Sequence, residues 1–497
     1  MPADNLTTIL ISAAALGIIV WGYVRSRRFG RLGLISWLQS LVLMTPWLLF
    51  FGLFAVGIYL NFSVVVILLV LSSGVYIYLG RQVRELAQDP EVQAQLAEQM
   101  AARRPVEAVS EEQAAQPAAV SPDQPHPIPR EDLDAIRGIF GIDSFFATET
   151  IPYQEGAIFK GNLRSSDPGA VQARLAEALK QRCGDRYRLY LVADRDDRPV
   201  VIVLPRTNDP KPSQPLQWVL AVVLALATAL TCLERGGLQE GIDLFAHLDR
   251  IRETLPIGLG ILTVLAGHEI AHRVVAAREG VKLSPPFFIP AWQIGSFGAI
   301  TRFESVLRNR SQLFDIAFAG PAVGGLLGFL FLGIGLFRSV GLEQGLPLPT
   351  EFFQGSLLVG TLAKAVLGDA VHRTQVLVDP FVVVGWVGLV ISALNLLPAG
   401  QLDGGRMVQA IYGRRTASRI SLVTIFFLAI ASFANPLALY WAVLILVLQR
   451  MPERPSSDEL SEPDDTRAAL CLLALFLTIA LLLPISPGLA GRLGIGI

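Results

Sequence analysis

Cysteine, histidine and charge are all scarce in this chain. Its three cysteines stand far apart at 183, 232 and 471, which excludes a disulfide framework and gives no paired spacing for a cysteine metal site. Charged residues make up 17% of the 497, against about a quarter in ordinary soluble domains. With 52% hydrophobic residues and a mean hydropathy of +0.50, this excludes a purely soluble protein. Neither sign of charge prevails, 41 Lys and Arg standing against 42 Asp and Glu, so there is no chain-wide basic field to draw a nucleic acid. Positive charge is also missing ahead of the first apolar run, where the chain reads Met1-Pro-Ala-Asp4. That run is as long as a bilayer is thick, so it reads as an anchor and not as a cleavable signal peptide.

What is plentiful is apolar runs long enough to span a membrane. Eight occur, near 5–24, 35–58, 62–80, 216–233, 256–277, 312–337, 379–398 and 467–485. A ninth stretch, 420–449, is long for one helix, and Asn435-Pro436 at its middle predicts a hairpin. Residues 353–373 are apolar but carry Lys364, Asp369, His372 and Arg373, a mixture that suits a re-entrant or surface-lying helix. The fold class expected is therefore all-α and polytopic, with about 8 to 10 transmembrane helices and a small α+β soluble domain inserted among them.

The inserted region has two textures. Within 81–130, the Pro-, Ala- and Glu-rich stretch 105–130 has almost no large apolar side chain, which predicts a disordered linker. From 131 to 209 the pattern turns to a helix near 167–181 and alternating strands at 186–194 and 199–205. The expected division is thus N-terminal transmembrane helices over 1–80, linker over 81–130, soluble domain over 131–209, a core over 216–412 and C-terminal transmembrane helices over 413–497. Arginines at 25, 27, 28 and 31 follow the first span, and Arg81 and Arg84 follow the third, which puts the soluble domain in the cytoplasm. Arg273, Arg278 and Lys282 at the exit of the 256–277 helix place that end on the same side.

Two of only five histidines occur as His268-Glu269-Ile270-Ala271-His272, inside a membrane run. The H-E-x-x-H spacing puts two imidazoles one helical turn apart on one face, where they can chelate one zinc ion. Ionisable groups inside a bilayer cost several kcal/mol each, which disfavours a merely structural triplet. A catalytic zinc wants a third protein ligand and an open position. Asp403 is the candidate, in Asn395-Leu-Leu-Pro398-Ala-Gly-Gln-Leu-Asp403-Gly404-Gly405-Arg406, although L-D-G-G also reads as a plain turn after a membrane helix. Glu269, left free beside the metal, is suited to take a proton from water. Residues 287–304 predict a β-hairpin, with Gly295, Phe297 and Gly298 as candidates for a strand that receives substrate or, equally, for a hairpin that only plugs the membrane face.

H-E-x-x-H on one membrane helix with N-x-x-P-x-x-x-x-D-G on a later one resembles the site-2 protease family of intramembrane zinc metalloproteases, over residues 256–410 or so. The resemblance implies His268, His272 and Asp403 as ligands of one Zn2+ per chain and Glu269 as the base. It further implies that Asn395 holds the substrate carbonyl or the developing oxyanion, unless it serves only as a helix-to-helix hydrogen bond. Gly161-Asn162-Leu163-Arg164 and the domain ahead of the core look like the plastid and cyanobacterial branch, the ethylene-dependent gravitropism-deficient and yellow-green type. Implied partners are transmembrane protein substrates and the lipid bilayer, with no nucleic acid. The absence of a Ser- and Arg-rich transit peptide favours a bacterial or cyanobacterial plasma or thylakoid membrane over a plastid one. Two other readings are a membrane metal-ion transporter, which the single unrepeated H-E-x-x-H disfavours, and a catalytically silent scaffold or chaperone.

Overall fold

The computed structural model describes residues 30–55, 62–87 and 128–495 apart from 142, 154, 195, 434, 449 and 450, with a few more between 20 and 27. The span expected at 5–24 lies almost wholly outside the described residues, and the linker residues 105–127 lie outside them altogether. The chain divides into two units, 1–119 and 120–497. In the first, helices α1 (Gly30–Ala55) and α2 (Phe62–Ala87) cover the apolar runs at 35–58 and 62–80. They pack on each other, with Gln39 Nε2 donating to Tyr76 O at 3.3 Å and the Ser72 hydroxyl to Val42 O.

The second unit begins with a compact sheet domain. Its elements are α3 (Arg130–Arg137), β1 (Phe145–Tyr153), β2 (Gly156–Leu163), α4 (Pro168–Cys183), β3 (Tyr187–Ala193) and β4 (Pro199–Pro205). The sheet is antiparallel in the order β1-β2-β4-β3. Asp167 caps α4 by accepting from Ala170 N at 3.1 Å, and Pro168 fits the first turn because that position needs no N–H donor. Valine, leucine and cysteine at 171, 175, 179 and 183 give α4 a buried stripe at helical spacing, laid against Phe145, Phe159 and Leu191. Each fully buried large side chain of this kind contributes about 1.5–3 kcal/mol. Strands β1 and β2 were not expected from the sequence. Gly161 belongs to them: a Cβ there would lie 2.1 Å from Phe146 O, so glycine lets β1 approach. The first residue of the G-N-L-R segment is therefore structural.

Asp132 ties α3 to this sheet. Arg186 grips its carboxylate with two hydrogen bonds of 2.5 and 2.7 Å, and the Tyr187 hydroxyl donates a third at 2.8 Å. Burial works to raise the Asp132 carboxyl, yet these donors hold it below the usual carboxylate range. A depressed pKa means that the contribution is fully present above the unfolded value of about 3.9 and is lost as pH falls below it. The protection of the β3 amides against hydrogen exchange, taken relative to an unfolded chain at the same pH, is therefore expected to fall below about pH 4 in the wild type, whereas Asp132→Asn should show lower protection already at pH 7 and little further loss in acid.

Beyond the sheet domain, four helices are long and apolar enough to cross a membrane: α5 (Pro215–Gln239), Leu248–Arg278 with α6 (Ile251–Arg278) as its main part, α7 (Arg310–Arg338) and, near the C-terminus, Asp465–Leu482. This is the count among the described residues, against the 8 to 10 expected from sequence. Between α6 and α7 lies the expected hairpin, β5 (Phe287–Ala291) with β6 (Gly295–Ile300). After α7 come β7 (Leu346–Pro349) and α8 (Leu357–Leu367), which has 11 residues and is too short to span. Strand β8 (Gln375–Val378) pairs with β7.

The run read as a span at 379–398 is α9 (Pro380–Asn395), only 16 residues or about 24 Å, short of a hydrocarbon core of about 30 Å. It is also enclosed by protein. Val382, Val383, Val384 and Ala393 are fully covered, and α9 packs on both α6 and α7. Helix α10 (Asp403–Ala431) follows, broken at Gly413, where φ is +80°. That break frees the carbonyls of Ala410 and Ile411, which accept from Arg310 at 2.7 and 2.6 Å. Helix α11 (Pro436–Leu448) then starts at the proline, so 420–449 forms two helical segments, as the Asn-Pro break predicts. The last elements are α12 (Asp465–Leu482) and α13 (Pro487–Leu493).

A loop between α11 and α12 fastens the sheet domain to the helices. Leu191 N donates to Ser457 O at 2.8 Å and Glu459 N to Leu191 O at 3.0 Å, which adds residues 457–459 to the outer edge of β3. On its other side the same strap donates from Ser457 N to Leu307 O and from Asp458 N to Arg308 O, just before α7 begins. Arg415 on α10 reaches Asp197 in the β3–β4 turn at 2.7 Å.

Candidate metal centre

Helix α6 presents its two faces to different surroundings. Ile261, Val264, Leu265, His268, Glu269, His272 and Ala276 are buried at helical spacing, while Leu259, Ile270 and Val274 are exposed. The chemistry-bearing residues thus point inward, toward α7, α9 and the start of α10. Two glycines on α7 make room for them. A Cβ at Gly320 would fall 2.2 Å from His272 Nε2, and one at Gly324 would fall 3.1 Å from His268 Nδ1.

Three donor atoms converge in that space. His268 Nε2 lies 3.1 Å from His272 Nε2 and 3.1 Å from Asp403 Oδ2, and His272 Nε2 lies 3.3 Å from the same oxygen. The turn after α9 delivers Asp403: Gly404 and Gly405 pass so close to the carbonyls of Leu396, Ala399 and Gly400 that a Cβ on either would collide with them. Neighbouring ligands of a tetrahedral zinc, each about 2.0–2.1 Å from the ion, sit about 3.3–3.4 Å apart. The observed triangle matches that spacing, so these residues fit a zinc ion. His272 Nδ1 donates to Ile316 O at 2.7 Å, which leaves Nε2 with its lone pair directed at the shared point. Glu269 stands further out, with the carboxylate and imidazole donor atoms of His268, Glu269 and His272 within 4.8 Å of one another.

Glu269 is buried, and its Oε2 accepts from the Thr301 hydroxyl at 3.0 Å. A pocket beside it is lined by Glu269, His272, Ile300, Thr301, Asn395 and Asp403, among others, with about 20 Å3 of free space. Holding one water molecule takes about 10–15 Å3 of such space, so the pocket has room for a water.

The tentative residues divide. Asn395 lines the pocket, its Nδ2 donating to Ile391 O at 3.0 Å, and Gly298 lies directly against it, where a Cβ would approach Nδ2 to 2.5 Å. At φ +94° Gly298 also has a conformation that suits glycine. Gly295 packs against Cys232 on α5, and Phe297 packs edge-on against Trp441 at 5.3 Å, so neither reaches the pocket. The hairpin residues that do reach it are Ala299, Ile300 and Thr301. Sequence reasoning missed Thr301 and the role of Arg406. The motif D-G-G-R contains Arg406, but nothing local reveals its partner.

Comparison with known proteins gives a family match over the part of the chain that holds this site. A model of peptidase family M50 matches residues 256–433, and a model of the EGY3 middle domain matches 134–211. The probable zinc metalloprotease EGY2, chloroplastic, of Arabidopsis thaliana is 38% identical over 364 residues, covering 72% of this chain and 65% of that protein. The probable zinc metalloprotease EGY1, chloroplastic, of Oryza sativa subsp. japonica is 34% identical over 411 residues, covering 75% of this chain and 71% of that one. The probable zinc metallopeptidase EGY3, chloroplastic, of Arabidopsis thaliana is 33% identical over 377 residues, covering 69% and 65%. The chain thus spans slightly less than two thirds of the length of the Arabidopsis EGY2 and EGY3 proteins. No solved structure matches it. On the strength of these relatives and of the family match, the chain belongs to peptidase family M50, the site-2 protease family, as a protein of the EGY type.

Proposed function

We propose that this chain is an intramembrane zinc metalloendopeptidase that hydrolyses peptide bonds in or near transmembrane segments of other proteins. The observation that carries the reading is the triangle of His268, His272 and Asp403 donor atoms with a separate carboxylate, Glu269, beside it on a helix apolar enough to cross a membrane. His268, His272 and Asp403 would hold the zinc, which when bound supplies a Lewis acid that polarises a carbonyl and lowers the pKa of water to about 7. Glu269 takes the proton of the attacking water on Oε1, since Oε2 is engaged by Thr301, and passes it to the nitrogen of the leaving amine. Asn395, whose Nδ2 now donates to Ile391 O, would donate to the oxyanion.

A helical peptide bond hides its carbonyl in the i to i+4 ladder, so the substrate must unwind before attack. Residues 299–301 of the hairpin, which line the pocket, are suited to receive that extended segment by strand addition. The core would comprise 216–412, with 131–209 regulating it or recruiting substrate from the cytoplasmic or stromal side. The membrane would be a plastid one, as in the relatives named chloroplastic, or a cyanobacterial thylakoid or plasma membrane. Those relatives are also named as zinc metalloproteases, which favours hydrolysis over the transporter and scaffold readings.

Terminus-enriched mass spectrometry of membranes from cells carrying the wild-type chain or Glu269→Gln tests this proposal. New termini within membrane spans that vanish in the variant are expected. Identical sets of termini, with both proteins expressed and zinc-loaded, would overturn it.

A further inference from the structure

A buried arginine is linked to the active carboxylate through one intermediate residue. Arg406 Nη2 donates to Thr301 O at 2.7 Å, and the hydroxyl of the same threonine donates to Glu269 Oε2 at 3.0 Å. Glu453 holds the other side of the guanidinium, with Nε to Oε2 at 3.0 Å and Nη2 to the same oxygen at 2.9 Å. Both side chains are about nine-tenths covered, and the guanidinium also lies over the Phe303 ring at 4.8 Å. A buried ion pair is costly to desolvate and seldom stabilises a fold on balance, so stability alone gives weak grounds for one here. The guanidinium does hold the backbone at Thr301, which directly follows β6 and lines the pocket. Threonine is β-branched and has few χ1 rotamers, so a held backbone leaves its hydroxyl few directions to point.

We infer that Thr301, clamped by Arg406 and Glu453, is the positioning residue that aims Glu269. Resting on the proposed protease reading, this deepens it by naming what sets the base. The Thr301 hydroxyl occupies Oε2 and leaves Oε1 for the water, so the carboxylate meets the water in one orientation instead of several. Glu453 lies at the start of the loop whose residues 457–459 pair with Leu191 of the sheet domain, while Gln409 Nε2 and Arg414 also bind its carbonyl. A continuous hydrogen-bonded and covalent path thus runs from the edge of the sheet domain to the catalytic carboxylate.

The test uses full-length protein in membranes and quantifies the Glu269-dependent termini for Thr301→Val, Thr301→Ser and Arg406→Lys, with zinc content and thermal unfolding measured on each purified chain. Thr301→Val keeps the shape and removes the hydroxyl. It is expected to lower those termini by about 10- to 100-fold, the range for partners that orient a ligand or base, with zinc content unchanged. Thr301→Ser keeps the hydroxyl and is expected to restore cleavage. Arg406→Lys preserves the charge facing Glu453 but loses the forked reach to Thr301 O, and is expected to impair cleavage while still binding zinc. Wild-type cleavage in Thr301→Val overturns the inference, as does equal loss in Thr301→Val and Thr301→Ser. If Glu269→Gln itself changes no termini, the protease reading fails and the inference falls with it.

Discussion

Replacing Glu269 with glutamine is expected to leave zinc content unchanged and to lower cleavage by about 10²- to 10⁴-fold, the contribution of a positioned general base. Glutamine matches glutamate in size and can still accept from the Thr301 hydroxyl, so the pocket keeps its shape. What it cannot do is take a proton at Oε1. The His268, His272 and Asp403 donors are untouched by the change, because their mutual spacing of 3.1 to 3.3 Å does not involve Glu269. Zinc content by elemental mass spectrometry, read beside cleavage, separates this outcome from a general loss of folding. Loss of zinc in Glu269→Gln would instead make Glu269 a ligand.

Gly320→Ala is expected to remove zinc binding although it improves the helix. Glycine to alanine inside a helix ordinarily gains about 1 kcal/mol. Here the new methyl would fall 2.2 Å from His272 Nε2 and 2.6 Å from the two ring carbons beside it. The imidazole must move, and a displaced ligand of this kind costs at least about 10- to 100-fold in metal affinity. Gly325, five residues on along the same helix, has open space where its Cβ would sit. Gly325→Ala is therefore the control, expected to bind zinc normally. Equal zinc content in the two variants would mean that His272 does not occupy the place described.

Local spacing explains why some of the site can be read from sequence. His268 and His272 are four residues apart, so helix geometry alone puts them on one face. Asp403 is 135 residues away from His268, and only the break after α9 and the glycines behind it suggest a close approach. Thr301 and Glu453 have no such signal: a threonine ending a hairpin and a glutamate in a loop are ordinary until α10 brings Arg406 between them. In the same way, hydropathy marks 379–398 as apolar but does not reveal that the helix it forms, α9, has 16 residues and is covered by protein. Strands β1 and β2 were hidden by Pro152, Glu149 and Gly161, residues that weaken a strand pattern and are tolerated at an edge, a bulge and a close approach. The helix at 168–183 was legible because its cap, its proline and its apolar stripe all agree.

X-ray absorption at the zinc edge of the purified wild-type protein, paired with zinc counts for His268→Ala, His272→Ala and Asp403→Ala, tests the metal centre most directly. The expected result is one zinc per chain, with nitrogen and oxygen neighbours at about 2.0–2.2 Å and no sulfur neighbour at about 2.3 Å, and lowered zinc occupancy in all three variants. Full zinc content in the three variants, or a sulfur shell in the wild type, would contradict the assignment of His268, His272 and Asp403 as the ligands.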